Sequence, residues 1–291
     1  MSAGGHPCGP IVVTGASGRL GSAVTCALAE AGFSIIAVSR AYVAGFDGMA
    51  NVTPMTVGRY SDLENDGRLD GAAMMFHFAD RAERRGFPVE QIDETASRTV
   101  SLLNACNSAG ISRFVLASSI YADQAPDTPY GRAKIAAETE ALAASSKFAA
   151  TLVLRFPPVY AATISGLLGL IAHALERGWP LPFASANQPR RFLGISNLCH
   201  LVRHLATSTP AASGIYEPSD ADFPSLREVC LAIGSAHGRR AKLFSVPGID
   251  ALSRANIVSS SKSAETLESL RRDLEWKPPE TTVDQLHRLI S

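Results

Sequence analysis

Short apolar runs separated by segments of helical period recur along the first 155 residues. Ile11-Val12-Val13 is β-rich and ends in Thr14-Gly15-Ala16-Ser17-Gly18-Arg19-Leu20-Gly21. Residues 22–31 then carry helical patterning, closed by Gly32. Residues 33–38 form a second run of buried-strand type, so the first 40 residues predict a βαβ unit whose crossover demands parallel pairing. Further strands are predicted over 51–57, 73–78, 113–117 and 151–155, with helices between them, chiefly over 91–109 and 130–145. This alternation predicts an α/β fold built on a doubly wound parallel sheet.

Beyond about residue 157 the rhythm breaks into segments punctuated by Pro and Gly. A helix is predicted over 164–177, a strand over 213–216, and helices over 225–234 and 261–274. The expected organisation is a flexible leader over 1–10 and a sheet domain over 11–160, with a later contribution from about 192–216. Residues 161–291 are then mainly a smaller C-terminal lobe. Lys+Arg and Asp+Glu both number 27 in the 291 residues, for a formal net charge of zero, which speaks against a nucleic-acid partner or an anionic membrane surface. The longest mainly apolar run, 156–172, is broken by Pro157, Pro158, Gly166 and Gly169 and is too short to span a bilayer. The first ten residues carry neither a basic nor an apolar signal region, so a cytoplasmic location is expected. The five cysteines lie far apart without a C-x-x-C, as reduced thiols do. Neither they nor the histidines, His200 and His204 included, have the spacing of a metal site.

The glycine turn carries the first specific chemistry. Gly15-x-x-Gly18-x-x-Gly21 stands after a strand and before a helix. Gly15 permits the tight turn, Gly18 the approach of a cofactor pyrophosphate to backbone, and Gly21 close helix–sheet contact, while the helix N-terminus supplies unpaired N–H groups. The candidate cofactor residues here are Gly15, Ser17, Gly18, Arg19, Leu20 and Gly21, and the sheet is then of Rossmann type. At the end of the second strand, where an acid would bind the adenosine ribose, stand Ser39 and Arg40. An arginine there suits a 2′-phosphate and Arg19 could add a second cation, so NADP is favoured over NAD. The alternative leaves Arg40 as a solvated charge and gives the ribose to Asp62 or another acid.

Tyr130-Gly131-Arg132-Ala133-Lys134 places a tyrosine and a lysine at i and i+4, on one helix face. A neighbouring ammonium favours the phenolate over the phenol, which suits the tyrosine to exchange a proton with a sugar hydroxyl or carbonyl. Ser119, at the end of the 113–117 strand and its Ser118-Ser119 extension, can hydrogen-bond the same oxygen. The Y-x-x-x-K spacing alone is common on surface helices. Together with the glycine turn and the strand-end serine it makes Ser119, Tyr130 and Lys134 the candidate catalytic set.

These residues give the chain a family resemblance: it resembles the extended short-chain dehydrogenase/reductases, close to the NAD-dependent epimerase/dehydratase group with its UDP-glucose 4-epimerase-like members. The resemblance extends to His77-Phe78-Ala79, Leu154 through Tyr160, Arg190-Arg191-Phe192-Leu193-Gly194-Ile195-Ser196-Asn197-Leu198 and Leu274-Glu275-Trp276-Lys277-Pro278-Pro279. It implies a Rossmann domain holding NAD or NADP and a C-terminal lobe holding a nucleotide-diphosphate sugar. Tyr130 is then the acid/base, Lys134 contacts the nicotinamide ribose, and Ser119 lies beside the reacting oxygen. Ala79 falls among the cofactor contacts, Pro157 and Val159 border the nicotinamide, and Arg190 or Arg191 takes the sugar-nucleotide diphosphate with its forked donors. A homodimer through helices such as 91–109 and 130–145 is compatible with it.

The chain departs from the family pattern at several points. Arg59-Tyr60 follows Val57-Gly58 where the family carries an acid, Thr95 stands where an Asn is usual, and Asp80 replaces a small residue. The Ser119–Tyr130 segment is about half the usual length, and Tyr160-Ala161 replaces Tyr-Gly. The leading expectation is a nucleotide-sugar epimerase or oxidoreductase of the UDP-hexose 4-epimerase kind. An NADPH-dependent 4-ketoreductase of a keto-sugar nucleotide is the alternative that Arg40 favours. A non-catalytic NADP-binding regulator is the alternative of another class, motivated by the short segment before Tyr130.

Overall fold

The computed structural model describes residues 9–80, 87–161, 166–208, 213–249 and 257–290. The expected leader, apart from Gly9 and Pro10, lies outside the described residues. The chain forms two compact units, the first made of Met1–Arg155, Leu201–Tyr216 and Asp273–Glu275, the second of Phe156–His200, Glu217–Arg272 and Trp276–Ser291.

The first unit carries the sheet. Its strands are β1 (Ile11–Thr14), β2 (Ile35–Ser39), β3 (Val52–Thr56), β4 (Met74–His77), β5 (Arg113–Ser119), β6 (Ala150–Phe156) and β9 (Gly214–Tyr216), whereas β7 (Val159–Tyr160) and β8 (Leu193–Gly194) belong to the second unit and pair with each other. The seven-stranded order is β3-β2-β1-β4-β5-β6-β9. The β1–β2, β1–β4, β2–β3, β4–β5 and β6–β9 ladders are all parallel. Strands covered on both faces need no polar alternation, and β1, β2 and β4 are buried at every residue. The doubly wound sheet read from the alternation is thus the one that forms, with its reversal of strand order between β1 and β4.

The helices of this unit follow the pattern, with one instructive shift. α1 (Arg19–Glu30) begins three residues before the predicted start and takes Gly21 into its first turn. A glycine is unfavourable inside a helix unless space demands it. Here a Cβ at Gly21 would stand 2.2 Å from the Gly15 carbonyl oxygen. α2 (Gln91–Ser108) packs against α4 (Pro129–Ala143), the short α3 (Tyr121–Gln124) preceding the latter. Thr128 caps α4 by accepting from the Gly131 amide at 3.0 Å, with Pro129 in the first turn. The core beneath is Val12, Val38, Met75, Leu102, Phe114, Leu116 and Val153 with their neighbours.

The second unit is built on α5 (Gly166–Glu176), the β7–β8 pair, the first part of α6 (Ile195–Thr207), α7 (Leu226–Ala236), most of α8 (Ser260–Asp273) and α9 (Thr282–Ile290). Residues 164–165 of the predicted helix lie outside the described residues. Neither the β7–β8 pair nor α9 was predicted: two-residue strands leave no periodicity to read, whereas α9 does carry apolar residues at helical spacing, Val283, Leu286, Leu289 and Ile290, and buries Gln285 beside Leu286. The unit's core is formed by Tyr160, Leu168, Ile171, Phe192, Leu226, Val229, Ile233 and Leu286. Beside it Asp220 accepts hydrogen bonds from Tyr160 Oη (2.7 Å), Asn197 Nδ2 (2.7 Å), Thr282 Oγ1 (2.9 Å), the Gly194 amide (2.9 Å) and Gln285 Nε2 (3.0 Å). Among the described residues no helix is long and apolar enough to cross a membrane.

Candidate active site

The glycine turn joins β1 to α1 at the carboxyl edge of the sheet. Gly15 has φ of 74°, and a Cβ there would stand 2.6 Å from the Ala79 nitrogen, so only glycine fits the turn against the end of β4. Gly18 caps α1 with extended backbone and no side-chain hydrogen bond. The first-turn amides are therefore not occupied by a capping side chain. A Cβ on Gly18 would fill otherwise open space, meeting only the Gly15 oxygen at 3.2 Å. A bare glycine face over an uncapped helix N-terminus is what a pyrophosphate requires, so the residues fit a dinucleotide at this end. Ser17, Gly18 and Arg19 are exposed and Leu20 is half-buried.

A cleft of about 280 Å³ opens beside the turn, lined by Gly15, Ser17, Gly18, Arg40, Tyr60, Phe78, Ala79, Asp80, Gln91, Glu94 and Arg98. Arg40 is exposed and has no carboxylate partner among the described residues. Ser39 is buried and donates to the Ala41 carbonyl at 2.5 Å. Asp62, the alternative ribose acid, accepts from the Arg59 amide at 2.8 Å within its own turn and is not part of the lining. Sequence reasoning noted Tyr60 only as a departure. Burial raises the pKa of its phenol above the ordinary value, against the pull of the Arg40 and Arg98 charges.

His77, at the end of β4, fixes the backbone that faces the turn. Its Nδ1 accepts from the Ala79 amide at 3.3 Å and lies 2.9 Å from Thr14 Oγ1, so the ring is neutral with its proton on Nε2. Complete burial depresses its pKa to about 3.

Lys134, one turn along α4 from Tyr130, has its Nζ 5.6 Å from the Tyr130 ring centroid. The ammonium is buried, donating to Asp80 Oδ2 at 2.6 Å and to the Ala117 carbonyl at 3.4 Å. Desolvation opposes its charge, but Asp80 and other nearby groups outweigh it and raise the lysine pKa. The far side of Asp80 meets Thr95 Oγ1 at 3.3 Å and Arg98 Nη1 at 3.4 Å, and Arg98 also pairs with Glu94 at 2.6 Å. Asp80, noted as a departure, thus meets both Thr95, another of the departures, and Lys134. Tyr130 packs edge-on against Phe87 at 5.5 Å and Tyr121 at 5.6 Å, two rings that no local pattern pointed to. Ser119 ends β5 and accepts from the Tyr121 amide at 3.3 Å. Its neighbour Ser118 belongs to a separate buried pair, Glu138 with Arg155 at 2.7 Å.

The remaining candidates lie in the second unit. Pro157 is buried, Val159 pairs with Leu193 in the β7–β8 ladder, and Arg190 and Arg191 are both fully buried. Arg191 forms an ion pair with Glu217. Among the described residues no group of three or more His, Cys, Asp or Glu could hold a metal ion.

A family model described as the NAD dependent epimerase/dehydratase family matches residues 11–216. No curated protein sequence matches the chain. Among solved structures it is similar to a UDP-N-acetylglucosamine 4-epimerase from Bacillus cereus, at 20% identity and TM-score 0.74 over 97% of this chain and 95% of that one. It is also similar to a UDP-glucose 4-epimerase from Thermotoga maritima, at 18% identity and TM-score 0.70 over 97% of each chain. A third is a double mutant of a dTDP-glucose 4,6-dehydratase from Streptomyces venezuelae with NAD bound, at 18% identity and TM-score 0.68 over 96% of this chain and 95% of that one. At these identities the likeness is one of fold.

Proposed function

The chain belongs to the NAD-dependent epimerase/dehydratase family of enzymes, and on that premise we propose that it acts on a nucleotide-diphosphate sugar, with Tyr130 as the acid/base. The observation that carries this reading is a connection within the first unit. The same Asp80 that lines the cleft beside Gly15 and Gly18 holds the ammonium of Lys134, which lies 5.6 Å from the Tyr130 ring.

The chemistry a bound nicotinamide supplies is reversible hydride acceptance at a sugar carbinol carbon. Gly15, Ser17, Gly18, Arg19, Leu20 and Gly21 offer backbone donors and a helix N-terminus to the dinucleotide diphosphate, with Ser39 and Arg40 at its adenosine end and Ala79 along its path. Lys134 keeps a positive charge beside the Tyr130 phenol, so the oxygen can take a proton from the sugar hydroxyl and give one back. Ser119 hydrogen-bonds the same substrate oxygen. Phe87 and Tyr121 cover the flanks of the Tyr130 ring and limit the water that reaches it. The family resemblance makes Arg190 and Arg191 the candidates for the sugar-nucleotide diphosphate and Pro157 and Val159 the candidates for nicotinamide contact.

With a nicotinamide bound, proton removal and return by Tyr130 at the sugar carbinol would serve epimerisation. Arg40, exposed at the cleft, favours a second version. A guanidinium suits the 2′-phosphate of NADP, and an enzyme drawing on NADPH is a net 4-ketoreductase. Purified protein given UDP-glucose or UDP-N-acetylglucosamine separates the two. Epimerised sugar without cofactor turnover supports the first, and stoichiometric loss of NADPH with a keto-sugar supports the second. Neither product, with cofactor bound, overturns the reading.

A further inference from the structure

We propose that Glu138 is a positioning residue for the reaction: by bridging Ser118 and Arg155 it fixes the register of α4 against β5 and β6, and with it the place of Tyr130 and Lys134 relative to Ser119. The inference rests on the roles given to those three residues above.

Two stripes run along α4. Ala133, Ala137 and Ala141 are buried at successive i+4 positions, and the last two belong to the core of the first unit. Tyr130, Lys134 and Glu138 form a neighbouring stripe at the same spacing. The alanines supply adhesion. Apolar contact is non-directional, so it holds the helix down without fixing its position along its own axis.

The polar stripe supplies that direction. Lys134 Nζ donates to the Ala117 carbonyl at 3.4 Å, and one turn later Glu138 Oε1 accepts from Ser118 Oγ at 2.5 Å. Successive residues of β5 are thus tied to successive turns of α4. On its other side the Glu138 carboxylate takes the Arg155 guanidinium of β6 in bidentate fashion, from Nη2 to Oε2 at 2.7 Å and from Nε to Oε1 at 3.0 Å. A planar fork of this kind sets angle as well as distance.

Glu138 and Ser118 are only 3% and 5% exposed. A carboxylate at that depth is costly to desolvate, and apolar side chains of similar volume hold two elements together as well or better, so adhesion alone does not account for it. The position of the candidate catalytic groups does. Ser119 follows Ser118 directly at the end of β5, and Tyr130 stands two turns before Glu138. A slip of about 1 Å between reacting groups is enough to slow a reaction by about a hundredfold.

The test is steady-state conversion of UDP-glucose or UDP-N-acetylglucosamine by the full-length protein, with kcat and KM separated and dinucleotide affinity titrated alongside. Ser118→Ala removes the tie to β5 and keeps the Glu138–Arg155 pair. It should lower kcat by roughly tenfold while KM and dinucleotide affinity stay within about twofold. Glu138→Gln should lower kcat further, and the double variant should be no slower than Glu138→Gln alone, because the Ser118 tie acts through Glu138. Where Glu138→Gln does not fold, the split between kcat and KM in Ser118→Ala decides alone. A carboxylate that only stabilises the fold would lower the melting temperature and leave kcat of the folded variants at the wild-type value, which overturns the proposal, as does a rise in KM with kcat unchanged or a multiplicative loss in the double variant. Wild type that binds dinucleotide and converts neither UDP-sugar defeats the functional reading itself, and the proposal with it.

Discussion

Two aspartates, Asp220 buried in the second unit and Asp80 half-buried in the first, show how the same side chain serves different ends. Asp220 is surrounded by neutral donors, five of them, all within the second unit. Burial raises its pKa, against the pull of those donors, and it ties β8, α6 and α9 to Tyr160. Asp80 is instead balanced by cations, Lys134 and Arg98, and it lines a cleft. Neutral donors that satisfy a carboxylate inside a core make a structural hub. A carboxylate neutralised by charged partners at the wall of a cleft keeps a polar, net-neutral surface for a ligand.

Substitution at the hub should have the larger effect on stability. Asp220→Ala leaves five buried donors without their acceptor and should cost about 3–5 kcal/mol in denaturant unfolding. Survival at near wild-type stability would remove the contrast. Lys134→Met should destabilise less, by about 3 kcal/mol at most, because Arg98 and Thr95 still face Asp80. The Lys134 contribution should be fully present below the ordinary lysine pKa of 10.5 and be lost as pH rises through its raised folded value.

Acid should separate the two units. His77 has a folded pKa of about 3 against an ordinary 6.5, so the unfolded chain binds the extra proton between those values, and stability conferred by the neutral ring is lost as pH falls across that window. Asp220 has the opposite sign: its raised folded pKa favours the protonated carboxyl, so its contribution is present at acid pH and declines as pH rises through that value. Deuterium exchange at pH 7 and pH 4 should show protection falling in peptides from β1 and β4 more than in those from β8 and α9. Equal loss in both would contradict the assignment. The smallest effect on stability is expected at Arg40. Arg40→Ala should leave unfolding unchanged while the preference for NADPH over NADH falls by roughly tenfold, in keeping with one charge-assisted contact; tighter NADH binding in wild type, unaffected by the substitution, would remove the NADP inference.

The two units were not equally legible in the sequence. Strands β1, β2 and β4 are continuous apolar runs because both faces are covered, and the turn at Gly15 announces itself by spacing. The second unit has two-residue strands that leave no period to detect, whereas the nine-residue α9 carries Val283, Leu286, Leu289 and Ile290 at helical spacing, a signal that was legible and was passed over. Within the candidate site, Tyr130 and Lys134 share a helix and could be paired on spacing alone. Asp80 lies 54 residues from Lys134, so it stood out as an unusual residue whose partner only the parallel sheet supplies. Phe87 and Tyr121 carry no signal apart from their place against Tyr130, and the burial of Arg190 and Arg191 was likewise beyond local pattern.

The role given to Tyr130 is tested most directly by the initial rate of UDP-sugar conversion in wild type and Tyr130→Phe, measured alongside dinucleotide affinity. Loss of the phenolic proton carrier should lower the rate by about 10²–10⁴-fold while affinity stays within about twofold. An unchanged rate in the phenylalanine variant would contradict the account.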